Sequence, residues 1–519
     1  MLTERNANMV NKPNRIKNAI KINFPCFFLH LCFFFYTFVA ILQSMAISAL
    51  FAWSKLCMTL MNNSIETYYF LGIGGIGMSA LARYFAAKGY RVLGYDRTTS
   101  PLTKELEKEG IGVQYDDSTD EVRTLDVDTT VVVRTPAVPE DMAVYVYLRD
   151  KGFKILKRAE VLGIVTRAER ALCVAGTHGK TTTSTMLAHI LHQSHVGANA
   201  FLGGIANNYS SNLLLDKRSD LVVVEADEFD RSFHQLTPCI SVITSMDPDH
   251  LDIYGTEDAY RESFMKYASL VEEALVVKAP LAASIEQVAR CKVYAYAVGE
   301  KVDFYADNVQ VMDGEIRFDF VTPKGKIVDI RLGVPVWVNI ENGIAAMAVA
   351  WLMGATEQEI REGMASFKGV YRRFNIHVNT PQVAYVDDYA HHPMELKASI
   401  ESVRKLYPQR KVIGVFQPHL FSRTRDFADG FAEVLSGLDE AVLLPIYPAR
   451  ELPIEGVNSE WLMTKINTQK VLVEKDQLVE YLQERVAACG VAGESCVVIT
   501  MGAGDVDRFV ETIKQTLKI

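Results

Sequence analysis

The sequence has no cysteine pattern that would hold a metal or a disulfide framework. Its eight cysteines (Cys26, Cys32, Cys57, Cys173, Cys239, Cys291, Cys489, Cys496) include no C-x-x-C pair and no zinc-like spacing. They are expected to be reduced core residues of a cytoplasmic protein. Positive charge is scarce outside the N-terminus. The whole chain carries −9; the first sixty residues hold +5 of local charge, which leaves −14 for residues 61–519. A general nucleic-acid binder neutralises phosphates with Lys and Arg, so the acidic body excludes that class, and any phosphate site must be local. The chain also lacks internal repeats and low-complexity linkers, so composition alone marks no sharp domain boundary. At 519 residues it is too long for one hydrophobic core, and two to four domains are expected.

One long apolar run is present. From Phe24 to about Trp53 the sequence is almost continuously hydrophobic, behind Lys12, Arg15, Lys17 and Lys21. That is the pattern of a membrane span or an uncleaved signal segment. By the positive-inside tendency such a span would export the rest of the chain from the cytoplasm. Residues 1–60 are therefore expected to stand apart from the working protein as an apolar extension, with translation starting at Met58 or Met61 and no functional membrane span. From Met61 onward short Val/Ile/Leu runs alternate with amphipathic stretches, the pattern of parallel sheets with crossover helices. The reading is α/β in three blocks, 61–167, 168–374 and 375–519. Within the second, the strand-rich stretch 293–332 reads as an insertion.

The first block opens on a strand followed by Gly72-Ile73-Gly74-Gly75-Ile76-Gly77 and an apolar-periodic helix. Without β-carbons in the way, backbone amides at the helix N-terminus can approach a diphosphate. Asp96 ends the next strand, 24 residues on from Gly72, where an acid can bind a ribose or other hydroxyl. The second block carries a sharper signal. A buried strand leads into Gly176-Thr177-His178-Gly179-Lys180-Thr181-Thr182. Successive amides can cradle phosphate, Lys180 can neutralise it, and the Thr181 hydroxyl can ligate Mg2+. The loop is shorter than the usual G-x-x-x-x-G-K-[ST] template, whose first glycine position is Val174 here. Two further strands run into Glu225-Ala226-Asp227-Glu228 and Asp247-Pro248-Asp249-His250. Glu225 suits a cation that prefers oxygen, and His250 suits a metal site; a solvated acidic loop and a helix-capping Asp249 are the plainer alternatives.

The third block places Asp387-Asp388-Tyr389-Ala390-His391-His392-Pro393 and Gln417-Pro418-His419 after apolar strands, with Arg423 and Arg425 close behind. Paired histidines before a proline also suit a helix cap. Beside arginines, which read carboxylates bidentately, they point to a site for a small anionic substrate.

In this order, the Gly176–Thr183 loop, the 225–228 acids, Asp249-His250, Arg372-Arg373-Phe374 and the two third-block elements resemble the Mur ligase family, across nearly all of residues 61–519. The resemblance implies an α/β protein of three domains: a Rossmann-like UDP-binding domain, a central P-loop ATPase-type domain and a C-terminal Rossmann-like domain. It further implies ATP and Mg2+, with UDP-N-acetylmuramate and L-alanine as the substrates to be joined. Carried over by position, Gly72, Gly74, Gly75, Gly77 and Asp96 would hold the UDP-sugar. Gly176 to Thr182 and Arg373 would meet the ATP phosphates, Asn339 and Asn342 the adenine, and Asp388 the ribose. Thr181, Glu225 and His250 would hold Mg2+. Tyr389, His391 and Arg423 would shape the alanine pocket, and Lys180, Arg373 and His391 would act in catalysis, His391 as base. Val338 and Leu420 depart from the family pattern, at a histidine and an arginine position respectively.

Three other readings use part of these residues. A sister ligase that attaches a tripeptide to the same UDP-sugar would be expected to differ at Gln417-Pro418-His419. A nicotinamide-dependent oxidoreductase would leave the Lys180 loop unused. A membrane-anchored transport ATPase would give the third block no role.

Overall fold

The computed structural model describes residues 65–518, except 250, 313–314 and 450. The expectations for residues 1–60, including the start at Met58 or Met61, and for His250 lie outside the described residues. Among the described residues no helix is long and apolar enough to cross a membrane.

Three sheets follow one another along the chain. The first has five parallel strands, β1 (Thr67–Leu71), β2 (Arg91–Tyr95), β3 (Gly112–Gln114), β4 (Thr130–Arg134) and β5 (Lys154–Lys157), in the order β3-β2-β1-β4-β5. The order reverses beside β1, and ligands of such sheets bind at the carboxyl ends of the strands at that switch point. The strands are buried on both faces: Tyr68, Tyr69, Phe70 and Leu71 of β1 are each at most 1% exposed, as near-continuous apolar runs in a parallel sheet require. Helix α1 (Ile76–Ala87) follows β1 directly.

The central sheet contains β6 (Arg170–Ala175), β7 (Asn199–Ala206), β8 (Ser211–Leu214), β9 (Leu221–Ala226), β10 (Pro238–Ile243), β11 (Ala274–Lys278), β12 (Lys292–Val298), β13 (Phe304–Met312), β14 (Glu315–Thr322) and β15 (Gly325–Arg331). Their order is β15-β14-β13-β12-β11-β10-β6-β9-β7-β8. The stretch 293–332 is thus not a separate insertion: β12 pairs in parallel with β11, and β13 to β15 extend the same sheet. Phe304, Phe318 and Phe320 from this extension share the apolar core with Leu172 and Val174 of β6. Helix α2 (Lys180–Gln193) follows β6 and packs on α3 (Val338–Leu352).

The third sheet runs β16-β17-β21-β18-β19-β20, from β16 (Asn375–Asn379), β17 (Val383–Asp388), β18 (Lys411–Phe416), β19 (Glu440–Leu443), β20 (Gln469–Leu472) and β21 (Cys496–Met501). All pairings are parallel except that of edge strand β16. Helix α4 (Pro393–Leu406) follows β17. Cys173, Cys239, Cys489 and Cys496 are buried free thiols, as expected of core residues.

A polar contact fixes the first sheet against the second. Asn212 of β8 donates to Ile76 O at 2.6 Å and to Ser79 Oγ at 2.9 Å, and Arg83 donates to Asn212 Oδ1 at 2.5 Å. The N-terminus of α1 is thereby held at the edge of the central sheet.

Candidate active site

The phosphate-type loop is shaped by two forced features. Gly179 caps α2 with φ +82°, a left-handed conformation that disfavours side chains, and a Cβ there would also stand 2.7 Å from Asn342 Oδ1. The α2 N-terminus is therefore open to an anion. Lys180 folds back over the loop, its Nζ 2.6 Å from Gly176 O, 3.3 Å from Thr177 O and 2.8 Å from the Glu228 carboxylate.

The acidic run at the end of β9 is not a solvated loop, because its three carboxylates take three separate partners. Glu225 accepts from Thr181 Oγ1 at 3.0 Å. Asp227 meets Arg158 Nη2 at 3.1 Å. Glu228, 2% exposed, pairs with Lys180. Burial pushes the pKa values of Glu225 and Glu228 up, and the Lys180 ammonium opposes that rise in both. Backbone crowds the same spot: a Cβ on Gly203 of β7 would lie 1.8 Å from Glu225 Oε2 and 3.0 Å from Thr181 Oγ1.

A cavity of ≈ 420 Å³ begins at this loop and reaches the third sheet. His178 to Thr182, Glu225, Asn339, Asn342, Arg373 and Asp388 all line it. Its far wall is apolar, from Val336 and Val338 on one side and Met394 and Ala398 of α4 on the other. Asn342 donates to Asn339 Oδ1 at 3.1 Å and Asn339 donates to Val334 O at 3.3 Å, so both amides are oriented from behind. Asp388 accepts from Ser399 Oγ, and burial raises its pKa.

A second cavity of ≈ 300 Å³ lies at the glycine loop, lined by Gly75, Gly77, Thr135, Arg158, Gly203, Glu225 and Asp227 among others. Glu225 belongs to both cavities. Asp96 is engaged by the loop itself, accepting from Gly74 N at 2.8 Å and Thr98 N at 3.1 Å. In this structure its carboxylate braces the glycine turn.

Tyr389, His391 and Arg423 line neither cavity. They lie at the carboxyl edge of the third sheet, where His391 Nδ1 is 3.0 Å from Tyr389 O and 3.3 Å from Glu395 Oε2. Burial lowers the His391 pKa, and the Glu395 carboxylate opposes that shift. With Nδ1–H donating to the Tyr389 carbonyl, the lone pair is on Nε2. His392 does precede a helix as its N-terminal flanking residue, and Glu395 accepts from the amides of both histidines. Gln417 is fully buried and ties β18 to the loop after β21 through Asp505 and Val506 N. Arg372 is buried and donates to Gly502 O and Gly504 O, anchoring the passage into the third sheet.

Comparison with known proteins accounts for this arrangement. The Mur ligase family's catalytic domain matches residues 67–170, its middle domain residues 174–350, and the Mur ligase glutamate ligase domain residues 372–504. A UDP-N-acetylmuramate–L-alanine ligase of Parabacteroides distasonis is 54% identical over 460 residues, covering 88% of this chain and 98% of the relative. The chain belongs to the Mur ligase family. A second such ligase, from Phocaeicola vulgatus, is 52% identical over 457 residues, covering 87% of this chain and 98% of its own. The crystal structure of the UDP-N-acetylmuramate-alanine ligase of Thermotoga maritima superposes with a TM-score of 0.71 at 26% identity, over 87% of this chain and 99% of that one.

In this Mur ligase the Thr181 hydroxyl donates to the Glu225 carboxylate, so two oxygen groups of the kind Mg2+ prefers lie side by side. Among the described residues no group of three or more His, Cys, Asp or Glu stands ready to hold a metal. Sequence reasoning missed Arg158 and the pairing of Lys180 with Glu228. Arg158 could have been flagged as a cation immediately after a first-sheet strand. Nothing local announces the Lys180–Glu228 pair, whose partners are 48 residues apart.

Proposed function

We infer that this chain joins L-alanine to the lactyl carboxylate of UDP-N-acetylmuramate at the expense of ATP, in peptidoglycan precursor synthesis. The named relatives support the substrates. The observation that carries the chemistry is that the phosphate-loop cavity and the glycine-loop cavity meet at Glu225. A nucleotide γ-phosphoryl in one and a carboxylate in the other would meet there.

In the working complex the UDP-sugar lies against Gly72 to Gly77, and the ATP phosphates lie on the 176–182 loop. Asn339 and Asn342 stand near the adenine and Asp388 near the ribose. Thr181 and Glu225 would hold Mg2+, which would neutralise phosphate charge; the expected third ligand, His250, lies outside the described residues. A carboxylate oxygen of the sugar attacks the γ-phosphorus and ADP departs, leaving an acyl phosphate. The unprotonated amine of alanine then attacks the acyl carbon, and phosphate leaves as the amide forms. Lys180 and Arg373 stabilise the charge of the transferring group. His391 Nε2 is the proton acceptor for the amine, and Tyr389, His391 and Arg423 form the alanine pocket. Closure of the third domain onto the second would bring alanine and the acyl phosphate together, a proximity gain of the usual large kind.

The domains are 61–167, 168–374 and 375–519, a division supported by the three sheets. The protein works in the cytoplasm, where ATP is. The test is phosphate release from the purified chain with UDP-N-acetylmuramate, ATP and, in turn, L-alanine, L-serine, glycine and the tripeptide. Fastest turnover with L-alanine supports this reading; preference for the tripeptide overturns it in favour of the sister activity.

A further inference from the structure

The glycine-loop cavity poses an electrostatic problem. Two carboxylates, Glu225 and Asp227, line it, and Arg158 is the one cation among its described lining residues. A nucleotide sugar brings two phosphate charges to the same place. Amides at the N-terminus of α1 offset part of this charge, but the facing carboxylates oppose it, and only Arg158 can answer them.

Arg158 is placed for that task by the fold. It is the first residue after β5, at the same carboxyl edge of the first sheet as the glycine loop. Its guanidinium lies against the loop, since a Cβ on Gly77 would be 3.0 Å from Arg158 Nη1. Its other terminal nitrogen, Nη2, is held by Asp227 Oδ2 at 3.1 Å. That contact crosses from the first sheet to the central one. Neither partner is deeply buried, with side-chain exposures of 26% and 38%, so the pair is exchangeable at little desolvation cost.

We propose that Arg158 is the cationic partner of the UDP-sugar diphosphate and that Asp227 is its resting counter-ion, displaced when the phosphates arrive. The proposal rests on the reading that a UDP-sugar fills this cavity. In the free protein Asp227 keeps the guanidinium aimed at the glycine loop. On binding, Arg158 exchanges a monodentate contact with one carboxylate for charge-assisted hydrogen bonds to phosphate oxygens, the stronger geometry. Asp227 thus costs affinity, both by holding Arg158 and by facing the phosphates, while it sets the orientation of the guanidinium.

The experiment is calorimetric binding of UDP-N-acetylmuramate, and of UDP alone, to the full chain and to the variants Arg158→Gln, Asp227→Asn and the double variant. Arg158→Gln is expected to weaken both ligands by roughly tenfold to a hundredfold, the scale of a charge-assisted hydrogen bond. Asp227→Asn, which frees Arg158, is expected to tighten both by a few-fold, and that gain is expected to be smaller in the Arg158→Gln background. Where Arg158→Gln unfolds, Asp227→Asn alone decides, and unchanged or weakened affinity for both ligands overturns the proposal. Equal affinity of the wild type and Arg158→Gln overturns the proposal. So does a loss confined to UDP-N-acetylmuramate and absent with UDP, which would assign Arg158 to the sugar's carboxylate. Absence of UDP-sugar binding to the wild type would instead overturn the reading of the cavity itself.

Discussion

Replacing Gly203 by alanine puts one methyl group at the junction of the two cavities. Gly203 has an ordinary backbone conformation, so alanine meets no φ penalty. The added Cβ would stand 1.8 Å from Glu225 Oε2, whereas real Cβ atoms essentially never approach a neighbour closer than 3.0 Å. The carboxylate must therefore withdraw by about 1.2 Å, the difference between those distances. Thr181 Oγ1 starts at 3.0 Å from the same Cβ and is already at the limit. The displaced group is a side-chain end, so the sheet persists while the Thr181–Glu225 oxygen pair opens. A displacement of about 1 Å in a positioned group costs on the order of a hundredfold in rate, about 2.7 kcal/mol in barrier. Gly203→Ala is thus expected to lower kcat for phosphate release by about a hundredfold and to raise the Mg2+ concentration needed for half-maximal rate. Its far-UV circular dichroism should be unchanged. Wild-type kcat together with a wild-type Mg2+ requirement would refute the assignment of Glu225 and Thr181 to the metal.

Lys180→Ala should cut phosphate release by at least about a hundredfold, the cost of losing a donor to a transferring group, while calorimetry shows UDP-sugar affinity retained; comparable loss of both would refute separate nucleotide sites. Arg423→Ala should raise the KM for alanine far more than that for ATP, and equal effects would remove Arg423 from the alanine pocket. His189, fully buried on α2 between Tyr209 and Ser366, has its pKa lowered by burial from 6.5 to about 4. The unfolded chain binds that proton and the folded one does not, so stability is full above pH 6.5 and falls as pH drops toward 4. At pH 5 the loss from this residue is roughly 2 kcal/mol; urea unfolding at pH 7 and pH 5 should show a smaller drop for His189→Gln, and an identical drop would contradict the assignment.

Periodicity and loop chemistry carried much of this architecture. Strand, glycine loop and helix at Thr67–Ala87, and again at Arg170–Gln193, were legible because a turn that must bind phosphate restricts both residue type and spacing. What was not legible is long-range. The pattern of residues 293–332 announces strands but cannot say which sheet they pair with, and the pairing of Lys292–Val298 with Ala274–Lys278 turns an expected insertion into an extension of the core sheet. The acids at 225–228 read as one cluster, yet the fold sends them to Thr181, Arg158 and Lys180. Asp96 stood where a ribose-binding acid belongs, but its hydrogen bond from the Gly74 amide, 22 residues away, was not announced by the sequence. In each case the residue type was visible and its partner was not, because partners meet only when separate strands align.

In the proposed reaction ATP activates a carboxylate before the amine attacks it, and oxygen labelling of that carboxylate follows the transfer. UDP-N-acetylmuramate carrying 18O in its lactyl carboxylate is turned over with ATP and L-alanine, and the released phosphate is analysed by mass spectrometry. The mechanism transfers one carboxylate oxygen to each phosphate, so one 18O per phosphate is expected. Phosphate free of label, with amide formed at the normal rate, would contradict the acyl-phosphate route.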